Sequence, residues 1–454
     1  MDLASLPALM IAGFEKAPAG RRPESKRNLS TMNPATRFAS LAALSAALLA
    51  AQAPQVASFD RAWTLVKEKH WDPALNGVDW DAVRAELRPA AEKATTAEET
   101  RKVIQQMVAR LGQSHFAIIP KDAYEPMETG SSSDGDTGLE IRVVDGLALI
   151  TGVAPDSPAA KAGIWPGWIL TAVDGKKTAE LIARAAKAST DPRKQALAQY
   201  AAVYRQLLGK KGETLMLELR GPKDVIVNKG VTLDAPRGQL AQLGNFPPLP
   251  VWYESRRLPE EIGYFRLSAF FDPPRVLGAF GDAVQSCKDC RGFIIDLRGN
   301  PGGIGAMAMG MAGWFLREEV PLGRMNTRTA ELKFTVNPRL AAFPGPVAIL
   351  VDSLSMSTSE IFAGGMQDLK RARIFGEPTP GAALPSLVEV LPNGDGFQYA
   401  MANYVSASGK VLEGNGVLPD VEVRPARAAL LAGRDPVIDA ASKWILEDKR
   451  HAIQ

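Results

Sequence analysis

The sequence predicts an α/β protein of several domains, and three observations lead there. At 454 residues the chain exceeds what one ordinary core organises. Its second half alternates apolar strand-like runs with helical segments, the order that builds a parallel sheet covered by helices. Its first half changes period, from helical spacing over residues 58–120 to strand alternation from Thr137 onward. The composition is that of a globular chain, 46% apolar and 23% charged. The formal net charge of +3, with both signs interspersed, carries no polyanion signature and argues against a nucleic-acid partner. His70, His115 and His451 are too few and too scattered for a multi-histidine metal centre, and neither an HExxH nor a Cys/His cluster is present, so neither metal nor cofactor is expected. Cys287 and Cys290 form a lone CxxC without a redox-domain context, which suits a local disulfide or two inert thiols.

The elements follow in order. From Met32 the chain reads like a secretory signal: Arg37 supplies the positive start, Phe38–Ala51 a short apolar run, and Ala51–Ala53 or Val56-Ala57 a small-residue cleavage site. The run is short for a membrane span, so a periplasmic or secreted location is expected, with no lasting membrane anchor. Over 58–120 Phe59, Trp63 and Val66 share one helical face, as do Val83 with Leu87, and Val103 with Met107 and Leu111. Thr95–Glu98 predicts a capping box for the third helix, and Gly112 its stop. Gln113-Ser114-His115-Phe116 then leads into a short apolar run, and a Gly/Ser-rich linker follows over Thr129–Asp136.

From Thr137 two alternating strands flank a turn at Asp145-Gly146, a short helix spans Ala159–Ala162, and strands follow at Trp168–Val173 and Thr214–Arg220. This arrangement resembles a bacterial PDZ domain. The resemblance makes Gly138, Leu139, Glu140 and Ile141 the carboxylate-binding loop and first strand, where a peptide C-terminus adds to the sheet edge. After the linker Gly244–Pro250 come strand Ile262–Leu267, helix Val276–Ser286, strand Gly292–Leu297, a helix from Ile304, strand Val347–Val351 and a helix from Thr358. In open sheets of this kind, sites gather in loops at the strand C-termini. Two loops there carry the chemistry. Asn300-Pro301-Gly302-Gly303 lets bare backbone approach a ligand, so the N–H of Gly302 or Gly303, paired with that of Thr358, forms a candidate oxyanion hole. Ser357, at a strand-to-helix corner, is the candidate nucleophile. Ser353, Ser355 and Ser359 compete with it, and Ser357 with Glu360 also reads as an ordinary capping box.

Five blocks then occur in order: IGYFRLSAF, FIIDLRGNPGG, SMSTSEIFAGGMQD, RIFGEPTPG and EGNGVLPDVEV. With the PDZ-like segment before them, they resemble the S41 family of serine peptidases, which includes the C-terminal processing and tricorn-type proteases. The resemblance covers roughly residues 58–435 and implies a ClpP/crotonase-like β/α catalytic domain. It divides the chain into an N-terminal extension and signal peptide (1–57), a helical domain (58–128), a PDZ-like domain (137–235), a catalytic domain (251–435) and a C-terminal tail (436–454). One departure stands out. The tail-specific branch takes its base from a lysine where this chain reads Gly381-Ala382-Ala383, and no lysine lies between Lys370 and Lys410. The tricorn-like branch implies a different set: Ser357 as nucleophile, His115 as base, and Ser114 and Glu413 orienting it. A histidine suits that task because its free ring is largely neutral near pH 7. The expected function is an exported serine endopeptidase acting on proteins or peptides, near C-termini. The alternatives are an S41-like module that binds peptides without cutting them, and a hydrolase of non-peptide esters.

Overall fold

The computed structural model describes residues 53–124 and 134–447. The apolar run of the expected signal peptide and most of the linker over Thr129–Asp136 lie outside these residues, whereas residues 53–57, expected to belong to the N-terminal extension, form the start of a helix.

The first unit is helical over residues 53–69, Trp80–Lys93 and Ala97–Ala109. Asp79 caps the second of these by accepting from Ala82 N. The capping box of the third sits one residue later than the sequence pattern suggested, on Thr96 and Glu99. Glu99 accepts from the N–H of both Thr95 and Thr96, so either threonine satisfies the motif in sequence. Phe59, Leu65, Val66, Trp80, Ile104 and Met107 form the core of this unit, but so do Leu384, Phe397 and Tyr399 from the far end of the chain. Strand Ala117–Ile119 completes the bond: it pairs antiparallel with Gly396–Gln398 beside strand Ser386–Val390. Arg101 adds an ion pair to the fully buried Asp395 at 2.8 Å.

The middle unit is an antiparallel sheet in the order Leu139–Val144, Leu147–Val153, Ile169–Val173, Thr214–Arg220, Ile226–Thr232. Asp145 and Gly146 both take positive φ, 51° and 75°, which matches the twist of a two-residue hairpin. Helices Thr178–Ala186 and Pro192–Tyr204 pack across it.

The last unit is a six-stranded sheet: Tyr253–Leu258, Ile262–Leu267, Gly292–Asp296, Val347–Val351, Ala372–Gly376, Val421–Glu422. The first pair is antiparallel and the rest are parallel. Alternate residues feed two cores. Phe293, Ile295, Val347, Ile349 and Val351 meet helices Pro273–Gln285, Gly305–Ala312 and Thr358–Asp368. Ile294, Ala348 and Leu350 point the other way. That second face is covered by helix Pro436–Glu447, whose Val437, Ala441 and Ile445 are buried. Residues 436–447 are therefore an integral layer of the domain and not a tail. Cys287 and Cys290 form a buried disulfide just beyond helix Pro273–Gln285. Among the described residues no helix is long and apolar enough to cross a membrane, and no group of His, Cys, Asp or Glu is arranged to hold a metal ion.

Candidate active site

Strands Gly292–Asp296 and Val347–Val351 are neighbours in register, with Asp296 opposite Leu350, so the loops beyond them meet. Asn300 stitches the two loops together. Its carbonyl accepts from Met356 N and Ser359 Oγ, each at 3.0 Å, and its side-chain amide donates to Leu267 O. Thr358 Oγ1 donates to Gly303 O at 2.7 Å. Burial sets two of the competing serines apart from Ser357, and the third, the half-buried Ser353, does not line the cleft that Ser357 faces. Ser355 and Ser359 are fully buried and spend their hydroxyls on Leu297 O and Asn300 O. Ser357 faces a cleft of about 980 Å³ that is also lined by His115, Gly302, Gly303 and Thr358.

The Ser357 backbone is strained. At φ 54°, ψ −117° it occupies a region that only glycine adopts freely, at the first turn of helix Thr358–Asp368. Such a corner lifts the side chain out of the sheet and toward the positive helix end. What holds the strain is Glu360. This fully buried carboxylate accepts from Ser357 N (3.0 Å), Thr379 Oγ1 (2.6 Å), Gly381 N (2.7 Å) and Ala382 N (2.9 Å). Burial pushes its carboxyl up to about 7, against the pull of those four donors. The sequence shows Glu360 only as a capping residue; its grip on the 379–382 segment, some twenty residues away, has no local signal.

Gly302 must be glycine: a Cβ there would stand 2.7 Å from Ser357 Cβ and 2.8 Å from Thr358 N, and its φ is 96°. Its N–H, however, donates to Asn300 Oδ1 at 2.9 Å. That removes Gly302 from the expected oxyanion donors, because the asparagine side chain turns back on the loop and accepts the hydrogen bond of its N–H. The N–H groups of Gly303 and Thr358 donate to nothing among the described residues.

Glu413, nearly three hundred residues from His115 in sequence, lies behind that ring. Its carboxylate accepts from Ser114 N (2.7 Å), Ser114 Oγ (2.8 Å) and Ala383 N (3.0 Å). Since the Ser114 hydroxyl donates to Glu413, it accepts from His115 Nδ1 across 2.7 Å. The tautomer follows: Nδ1 carries the proton and Nε2 keeps its lone pair. The His115 ring is 3% exposed, and burial lowers its pKa to about 4. Burial also raises the Glu413 carboxyl. His115, like Ser357, has a positive φ, here 61°. The lysines that flank the 381–383 segment in sequence are remote in role: Lys410 is exposed and pairs with Asp368 at 2.9 Å. Lys333, on the exposed rim of the cleft, is the lysine that sequence order did not bring to notice.

The middle unit touches the same loops. Arg142 pairs with buried Asp352 at 2.6 Å, and Asp352 in turn accepts from Gly299 N and Leu354 N, each at 3.0 Å. Glu140 pairs with Arg266 at 2.8 Å. Strand Leu139–Val144 is an edge of its sheet, and Gly138, Leu139 and Glu140 line a cavity of about 270 Å³. The expected carboxylate loop is already satisfied, though. Gly138 N donates to Asp136 Oδ1 and Leu139 N to Thr137 Oγ1, while the side chains of Leu139 and Ile141 are buried in the unit's own core.

Residues 261–423 match peptidase family S41, and residues 56–109 match the tricorn protease C1 domain. The carboxyl-terminal-processing protease of Synechocystis is 27% identical over 367 residues, 79% of each chain. That of Picosynechococcus is 28% identical, over 80% of this chain and 82% of its own length. Among solved structures, the photosystem II D1 C-terminal processing protease superposes with a TM-score of 0.53 at 22% identity, over 82% of this chain and 93% of that one, a likeness of fold.

Proposed function

Because this chain belongs to peptidase family S41 and is a serine-type peptidase, we propose that it is an exported endopeptidase that cuts proteins or peptides near their C-termini, with Ser357 as nucleophile and His115 as base. The observation that carries this reading is that His115, held from behind by Ser114 and Glu413, lines the same cleft as the strained Ser357. Glu413 holds the Ser114 hydroxyl, which holds Nδ1–H of the ring. Nε2 takes the proton of Ser357 Oγ as that oxygen attacks the peptide carbonyl. The tetrahedral oxyanion is received by the N–H groups of Gly303 and Thr358, donors of a kind typically worth about 2.7–4 kcal/mol each to the transition state. Imidazolium returns its proton to the leaving amine, and a water activated by the same ring hydrolyses the acyl-enzyme. The middle unit acts as a PDZ-like domain that gathers substrate beside the cleft.

The test is direct. A fluorophosphonate probe labels Ser357, and Ser357→Ala or His115→Ala each lowers kcat on a peptide by on the order of 10⁴–10⁶. Alanine at Lys333, Lys370 or Lys410 leaves the rate near wild type. An unlabelled serine, or a large loss at any of the three lysines, refutes the mechanism. Turnover of esters with peptides left intact refutes the substrate class.

A further inference from the structure

His70 has no place in the mechanism above, yet it is fully buried and bonded through both ring nitrogens. It closes the helix over residues 53–69, its own N–H donating to Val66 O at 3.0 Å. Nδ1 lies 3.0 Å from the N–H of Asp72 and 2.9 Å from Asp72 O, and Nε2 meets Gln113 Oε1 at 2.8 Å. An amide oxygen only accepts, so Nε2–H donates to Gln113 Oε1, and in that neutral tautomer Nδ1 accepts from Asp72 N. The ring also lies nearly parallel to Phe116, centroids 5.7 Å apart and planes 12° off. Gln113 and Phe116 are the residues on either side of Ser114-His115. One imidazole therefore holds both ends of the turn that presents the base. Asn76, six residues further on, adds a third hold by donating to Leu111 O at 2.9 Å.

The turn needs such holding. His115 stands at φ 61°, a backbone state that residues with a β-carbon adopt rarely and at some cost. Glu413 fixes Ser114 from the catalytic domain. Nothing in that set fixes the residues before and after. A phenylalanine at position 70 would keep an aromatic ring beside Phe116. It could not bond the Gln113 amide, so packing alone does not call for an imidazole.

We infer that His70 is a positioning residue for the reaction, setting the His115 ring through Gln113 on one side and Phe116 on the other. This rests on His115 being the base. The experiment measures kcat and KM on a peptide substrate, with the rate of fluorophosphonate labelling at Ser357, for the full chain and for His70→Phe, Gln113→Leu, the double variant and His115→Ala. The expected result is a fall of roughly 10- to 100-fold in kcat for His70→Phe, the scale of an ångström-sized misplacement, with KM within about twofold. Because both changes break one connection, the double variant is no slower than the worse single one. Wild-type kcat in folded His70→Phe, or losses that multiply in the double variant, overturns the inference. Should His70→Phe not fold, Gln113→Leu decides alone, and wild-type kcat there overturns it. Undiminished activity in His115→Ala overturns the underlying mechanism instead.

Discussion

Two buried titratable groups flank Ser357, and burial moves them in opposite directions. His115 is lowered from 6.5 to about 4, and Glu360 is raised from 4.5 to about 7. Each displacement has a thermodynamic consequence. Between pH 4 and 6.5 the unfolded chain binds a proton on His115 that the folded chain refuses. The stability from this site is complete above 6.5 and is lost as pH falls through 4. For Glu360 the folded chain binds the extra proton, so its contribution is complete below 4.5 and is lost as pH rises through 7. At 1.36 kcal/mol per pH unit, either displacement is worth about 3 kcal/mol. In the wild type the two slopes largely cancel. Removing one group unmasks the other. Urea unfolding of wild type, His115→Ala and Glu360→Gln at half-unit steps from pH 4 to 8 reads this, and comparison with wild type removes the slopes of all other groups. The stability of wild type minus that of His115→Ala should rise by about 3 kcal/mol from pH 4 to 6.5. The same difference for Glu360→Gln should fall by a similar amount from pH 4.5 to 7. Parallel curves for all three proteins, or slopes of the reverse sign, would show that these groups are not buried as described and that His115 is an ordinary solvated histidine.

Two further outcomes follow from the same loops. Gly302→Ala drives a β-carbon against Ser357 Cβ and the Thr358 amide, so fluorophosphonate labelling of Ser357 should drop at least tenfold, the equivalent of about 1.4 kcal/mol, and labelling at the wild-type rate counts against the loop geometry. Arg142→Ala strands the buried Asp352 carboxylate without its cation, which should cost about 3–5 kcal/mol in chemical denaturation; a change under about 1 kcal/mol would mark the pair as a solvated surface contact.

The legible parts of this chain are those whose physics is local. Strands Ile262–Leu267, Thr214–Arg220 and Val347–Val351 were marked by apolar runs or alternation because a sheet buried on one or both faces admits little else. The corner at Ser357 was visible for the same reason, as an abrupt strand-to-helix boundary. Helix Pro436–Glu447 was not, although Val437, Ala441 and Ile445 stand four residues apart in sequence. A single amphipathic helix at a chain end looks alike whether it covers a sheet or nothing. Glu413 and His115 became visible only through the order of sequence blocks that a family resemblance supplies, since no spacing rule links residues brought together by tertiary folding alone. Gly302 shows the converse limit: its need for glycine was readable, but the inward turn of its N–H depends on an Asn300 rotamer.

The absent lysine is the key to how the units fit together. Where the Ser–Lys branch places its base, this chain runs Gly381-Ala382-Ala383, and it uses the backbone instead. Gly381 N and Ala382 N donate to Glu360, while Ala383 N donates to Glu413. Three consecutive amides are thus divided between Glu360, which holds Ser357 N, and Glu413, which holds Ser114. Ala382 and Ala383 are both buried, 8% and 1% exposed, and neither carries an ionisable group. In the proposed mechanism the base is then lent by the N-terminal helices, and the reaction depends on their register against the sheet. That register is what the paired strands Ala117–Ile119 and Gly396–Gln398, the buried Arg101–Asp395 pair and the shared core of Phe59, Leu384 and Phe397 secure. A dyad confined to one loop would need none of them. A base supplied from the N-terminal helices, as proposed, draws on all three, the shared core among them.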